Sequence, residues 1–101
     1  MGKQDILKYL SDNKDFFEKN FNIVKIGIFG SFAKDTNNAK SDIDLIIEFK
    51  PNTPNLFNKK QELRLLIKSI FGKDVDICRE KYIKPYYKKV ILSEAIYVWK
   101  W

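Results

Sequence analysis

The chain has 101 residues, 45% of them hydrophobic and 15% aromatic, with a net charge of +6 and a pI near 9.4. That length suits one small domain, residues 1–101, with a shallow core. One cysteine, Cys78, and no histidine exclude an internal disulfide, a Cys/His zinc site, a Ser-His-Asp triad and a Cys-His pair, so chemistry must run on carboxylates, lysines, hydroxyls or a bound metal.

Residues 4–19 are mostly helix formers with Ile6, Leu10 and Phe17 on one face, and Asn13 is a natural break between two helices. Residues 23–29, IVKIGIF, are β-branched and aromatic and read as a buried strand. Gly30-Ser31 ends it, and a short helix through Ala33 and Lys34 follows. The polar run 35–41, DTNNAKS, is a loop. Residues 42–49, DIDLIIEF, read as a second strand. Alternation places Ile43, Leu45, Ile47 and Phe49 on one side and Asp42, Asp44, Ile46 and Glu48 on the other. The stretch from Pro51 to Pro54 is a loop. Residues 56–71 form a helix with Leu63, Leu66, Ile67 and Ile70 at helical spacing, stopped by Gly72. Residues 74–78, DVDIC, make a third strand, with Val75 and Ile77 toward the core and Asp74, Asp76 and Cys78 opposite. A helix follows Pro85 over 86–94. The ending IYVWKW, with Tyr97, Trp99 and Trp101, is either a last short strand or a docking tail. The order helix, strand, loop, strand, helix, strand, helix is that of an α/β domain with a small sheet.

Three features carry chemistry. Gly30-Ser31 closes a strand, where glycine permits a sharp turn and the following amides and hydroxyl can donate to phosphate oxygens. Asp42 and Asp44 point the same way on one strand. Two carboxylates about 4 Å apart repel by roughly 4 kcal/mol at an effective dielectric near 20. A divalent cation reverses that sign, and magnesium favours one or two carboxylates plus substrate oxygens. Asp76, mid-strand between Val75 and Ile77, is the preferred third carboxylate, with Asp74 the alternative. Taken singly, the first two have plain alternatives, a tight turn and an acidic strand edge; together the three are much more specific.

The segment GSFAKDTNNAKSDIDL resembles the signature of the polymerase-β-like nucleotidyltransferases, in which Gly-Ser precedes Asp-x-Asp by a ten-residue spacer. The short length and the ending KPYYKKVILSEAIYVW are similar to the minimal nucleotidyltransferase (MNT) branch. The resemblance implies a small mixed sheet flanked by helices. It implies that Gly30 and Ser31 hold the triphosphate, that Asp42 and Asp44 coordinate Mg2+ or Mn2+, and that Asp76 shares the metal at the attacking hydroxyl. Many relatives have Arg-Gly where this chain has Lys34-Asp35. Lys34 meets a phosphate only as a point charge, and Asp35 lacks glycine's freedom. Lys40 and Ser41 flank the metal ligands, within reach of phosphate, although an exposed loop lysine is the plainer reading of Lys40.

For the MNT branch the resemblance implies a HEPN toxin as partner. The expected activity is transfer of AMP from ATP to a tyrosine of that toxin, which makes the chain an antitoxin. Two alternatives stand beside it: a non-catalytic antitoxin that occludes its partner, and a transferase acting on nucleic acid or a small molecule. Lysines spread along the whole chain, without a recognisable nucleic-acid motif, argue against direct nucleic-acid binding. The start MGKQDILKYL lacks the apolar stretch of a secretory signal, and no apolar run approaches a membrane span, so the expected location is the cytoplasm.

Overall fold

The computed structural model describes residues 1–100; Trp101 lies outside the described residues. Helices α1 (Lys3–Asp12) and α2 (Lys14–Phe21) meet at Asn13, whose backbone leaves helical geometry at φ −112° and whose side-chain amide donates to Tyr9 O at 2.8 Å. Their inner face buries Ile6, Leu10 and Phe17 completely, the three residues the periodicity selects. Strand β1 (Ile23–Phe29) follows, then a four-residue helix α3 (Gly30–Ala33), and strand β2 (Ile43–Phe49) after the polar loop. The strand therefore begins one residue later than the pattern suggests, and Asp42 sits in the approach to it.

Helix α4 (Leu56–Phe71) ends at Gly72, held at φ +69°, a left-handed conformation that glycine adopts without Cβ strain. It buries Leu63 and Ile67, whereas Ile70 is exposed at its C-terminal end. Strand β3 (Val75–Arg79) comes next, then a single 3-10 turn (Glu80–Tyr82), helix α5 (Pro85–Glu94) and strand β4 (Ile96–Lys100).

The four strands form one mixed sheet in the order β3-β2-β1-β4. β1 pairs antiparallel with both β2 and β4, and β2 pairs parallel with β3. A parallel pair needs a crossover, and α4 is that crossover. One sheet face, carrying Ile43, Leu45, Ile47, Val75 and Ile77, packs with residues of α1, α2 and α4 into the core. Strand β4 settles the reading of the aromatic ending. Trp99 is buried and its ring stacks on Phe17 at 6.1 Å, and the Tyr97 hydroxyl donates to Glu80 Oε2 at 3.0 Å. Both side chains complete the domain rather than project from it as a tail.

The opposite face of the sheet is polar at both ends. At one end Arg79 Nη2 donates to Glu48 Oε2 at 3.1 Å, and Lys25 Nζ donates to Glu80 Oε2 at 2.8 Å. Hydrogen bonding from Lys25 holds the Glu80 carboxyl below the usual carboxylate range. At the other end stand Asp44 and Asp76.

Candidate active site

The site gathers where β1 ends and where β2 and β3 begin. Phe29 pairs with Asp44, so the turn at Gly30 falls beside the first residues of β2. Asp44 pairs in turn with Asp76, so the two carboxylates are direct neighbours across the parallel ladder. The amide of Ile43 donates to Asp74 O at 2.9 Å and locks the two strand starts together.

Gly30 joins the turn at the end of β1 to the carboxylates. Its backbone is left-handed at φ +72°. A Cβ there would overlap Asp44 Oδ2 and come within 3.1 Å of Asp44 Cγ. Glycine is thus required twice, for the conformation and for the close approach. The first amides of α3, from Ser31 onward, have no acceptor within so short a helix, and the Ser31 hydroxyl makes no hydrogen bond among the described residues.

Asp44 is half-buried, and its carboxyl is pushed up to about 6, first by burial and then by the negative charges of Asp76 and Asp42. Among the described residues none of Asp42, Asp44 and Asp76 forms an ion pair. Three hard oxygen donors short of positive charge suit a divalent cation such as Mg2+ or Mn2+. Among the described residues no group of three Asp, Glu or Cys side chains is placed to hold a metal ion by itself.

The remaining sequence candidates are placed as follows. Asp42 is exposed and shares with Asp76 the wall of a cleft of about 320 Å3. Asp74 is exposed too, but its carboxylate sits 2.7 Å from Lys68 Nζ, which lowers its pKa. Asp76 has no such partner and lies in register with Asp44. Lys34 Nζ lies 3.6 Å from Glu94 of α5, so its charge is shared with a carboxylate outside the cluster. Ser41 Oγ accepts from the Asn38 amide at 2.9 Å and shapes its own loop; Lys40 is exposed. Asp35 takes a left-handed φ of +59° without being glycine, and its carboxylate pairs with Lys3 at 2.9 Å.

Sequence reading missed Lys73. Its ammonium donates to Ala39 O at 3.0 Å and Ser41 O at 3.3 Å, tying the loop before Asp42 to the approach of β3. Nothing in the local pattern marks it. It also missed Lys60 and Arg64 of α4, which border Asp76 across a smaller cleft; their four-residue spacing was the available signal.

Residues 10–98 match the nucleotidyltransferase domain family. A Methanocaldococcus jannaschii protein provisionally named a protein adenylyltransferase is 34% identical over 95 residues, covering 93% of this chain and 95% of its own. Protein adenylyltransferase MntA of Thermococcus cleftensis is 28% identical over 95 residues, covering 94% of each. Among solved structures, one described provisionally as a minimal nucleotidyltransferase superposes with a TM-score of 0.74 at 25% identity, over 95% of both chains. The fold also matches, with a TM-score of 0.63 at 15% identity over 94% of this chain and 73% of the other, a structure described as a tri-AMPylated Shewanella oneidensis HEPN toxin in complex with MNT antitoxin.

Proposed function

We propose that this chain, which belongs to the nucleotidyltransferase domain family, is a metal-dependent protein adenylyltransferase that transfers AMP from ATP to a tyrosine of a HEPN partner and so acts as its antitoxin. The observation that carries this reading is the contact of Gly30 with Asp44 and the pairing of Asp44 with Asp76. Phosphate turn and carboxylates form one site rather than two. The relatives named protein adenylyltransferases support the group transferred, and the structure pairing an MNT antitoxin with an AMPylated HEPN toxin supports the acceptor.

In this reading the tyrosine oxygen attacks the α-phosphorus of ATP. The new O–P bond forms as the α–β bridging bond breaks, pyrophosphate leaves with the electron pair, and the hydroxyl proton is released to solvent or to a nearby carboxylate. The Gly30 turn and the Ser31 hydroxyl hold phosphate oxygens. Asp42 and Asp44 would hold the divalent cations, and Asp76 orients the attacking hydroxyl's side of the site. Bound magnesium or manganese would supply charge neutralisation and polarise the phosphoryl oxygens. Lys34 and Ser41 contribute less to phosphate binding, since each already has a partner.

The test mixes this protein with ATP, magnesium and a HEPN partner, and reads the partner's mass. Increments of one AMP on a tyrosine are the expected result. No increment from the unaltered protein, with neutralisation retained by the Asp42→Asn/Asp44→Asn variant, would overturn the reading and favour plain occlusion.

A further inference from the structure

On α4, Lys60, Arg64 and Lys68 follow one another at four-residue spacing, which brings them onto one helix face about 6 Å apart along the axis. That face borders β3. Lys68 is neutralised by Asp74. Among the described residues neither Lys60 nor Arg64 forms an ion pair. Both line a cleft of about 160 Å3 that Asp76 closes from β3. Arg64 also lines the neighbouring cleft of about 320 Å3 with Asp42 and Asp76. Two open cations thus stand against the carboxylate cluster without quenching it.

Their side of the cluster is informative. The strand order puts β1, with the Gly30 turn, on one flank of β2, and β3, against which α4 packs, on the other. In-line displacement separates the leaving group from the attacking hydroxyl on opposite sides of the phosphorus. With the triphosphate on the Ser31 flank, the acceptor approaches from the Asp76 and α4 flank.

We propose that Lys60 and Arg64 form an acceptor clamp that binds the carboxylates of an acidic peptide segment next to the acceptor hydroxyl. This rests on the transfer reading for its direction. An acidic peptide fits better than a nucleic-acid strand. A phosphate backbone carries a charge at every nucleotide and would run beyond the pair onto Asp42 and Asp74, whereas a pair of glutamates or aspartates ends within it. Arg64 offers a bidentate fork for one carboxylate, and Lys60 a point charge for the next.

The test is fluorescence anisotropy with the full chain, magnesium and a non-hydrolysable ATP analogue. Three probes are used: a labelled tyrosine peptide flanked by glutamates, the same peptide with glutamines, and a short oligouridylate. The acidic peptide should bind about tenfold more tightly than the glutamine peptide, the sum expected of two exposed charge pairs. Lys60→Gln/Arg64→Gln should erase that difference, Lys60→Arg/Arg64→Lys should keep it, and Lys14→Gln/Lys89→Gln, which removes the same charge elsewhere, should keep it too. No preference for the acidic peptide, a preference that survives Lys60→Gln/Arg64→Gln, or tighter oligouridylate binding through the same pair would each overturn the proposal. A clamp that behaves as expected in a protein that transfers no AMP to its partner would leave the clamp standing and sink the transfer reading. AMP transfer without acidic preference does the reverse.

Discussion

Asp44 and Glu48 lie on the same face of β2, four residues apart, and the fold treats them in opposite ways. Glu48 receives the guanidinium of Arg79 at 3.1 Å and the Lys81 amide at 3.1 Å. Asp44 receives Asp76 as its cross-strand neighbour, Asp42 close by in sequence and the bare α-carbon of Gly30. One end of the strand is electrostatically closed and the other is left open. The difference teaches where stability and function lie: an internal cation makes a carboxylate structural, and its absence leaves a carboxylate available to an external one.

The most severe way to break the comparison is to remove the open end's charge. Asp42→Asn/Asp44→Asn should lower AMP transfer by about a thousandfold, the scale of losing a main electrostatic element of a site, read as the rate of mass increment on the partner. The same variant should melt no lower than the parent, because it relieves repulsion. A loss of activity accompanied by a large fall in Tm would make these carboxylates structural after all. Next in size is Gly30→Ala. The added methyl must displace the Asp44 carboxylate and adopt φ +72°, so we expect transfer down about a hundredfold and stability down about 2 kcal/mol, measured by initial rates and urea unfolding.

The closed end should respond in the reverse manner. Arg79→Met removes the partner of Glu48 from a pair whose side chains are 14% and 16% exposed. It also removes a buried Nε that has no hydrogen-bond partner and a cation lying 4.8 Å from the Tyr82 ring centroid. We expect a loss of about 2 kcal/mol, below the usual cost of orphaning a buried charge because one unsatisfied donor leaves too, with AMP transfer nearly unchanged at temperatures where the variant is folded. A large fall in transfer at full folding would erase the division between the two ends.

Much of this contrast was legible in the residues. Alternation along 42–49 placed Asp44 and Glu48 on one face, and mid-strand position favoured Asp76 over Asp74; in the structure Asp76 stands in register with Asp44, whereas Asp74 pairs with Lys68. Asn13 as a helix break and Gly72 as a stop follow from local conformational preference, and local preference is what a short window contains. Long-range facts were not legible. Nothing near Lys25 announces Glu80, 55 positions away, and nothing near Gly30 announces that its α-carbon will press on Asp44. The pairing of Asp35 with Lys3 is equally out of local reach, since it depends on a helix that starts 32 positions earlier in the chain.

The finest probe of the open end is pH. The Asp44 carboxyl titrates near 6 in the folded chain against an ordinary value of 3.8, so the native state binds its proton more tightly than the unfolded state does. Stability must then fall as pH rises from about 4 to above 6, and rise on acidification through the same range. Glu80 works in the opposite direction, its lowered pKa costing stability only as pH drops below its ordinary value of 4.5, so the interval from about 5 to 7 belongs to Asp44. The absence of histidine keeps that interval clear of the usual confounding group. Water reaches this half-exposed carboxylate, so the expected gain between pH 7 and pH 5 is about 1 kcal/mol rather than the full value of the shift. Urea unfolding in metal-free buffer reads it, and Asp44→Asn should flatten it. Magnesium should raise Tm by a few degrees at pH 7.5 and by less at pH 5.5, where the proton competes for the same oxygens, and chelation should reverse the gain. A metal-free stability that rises with pH across this interval would mean that Asp44, like Glu48, has its compensating charge within the chain.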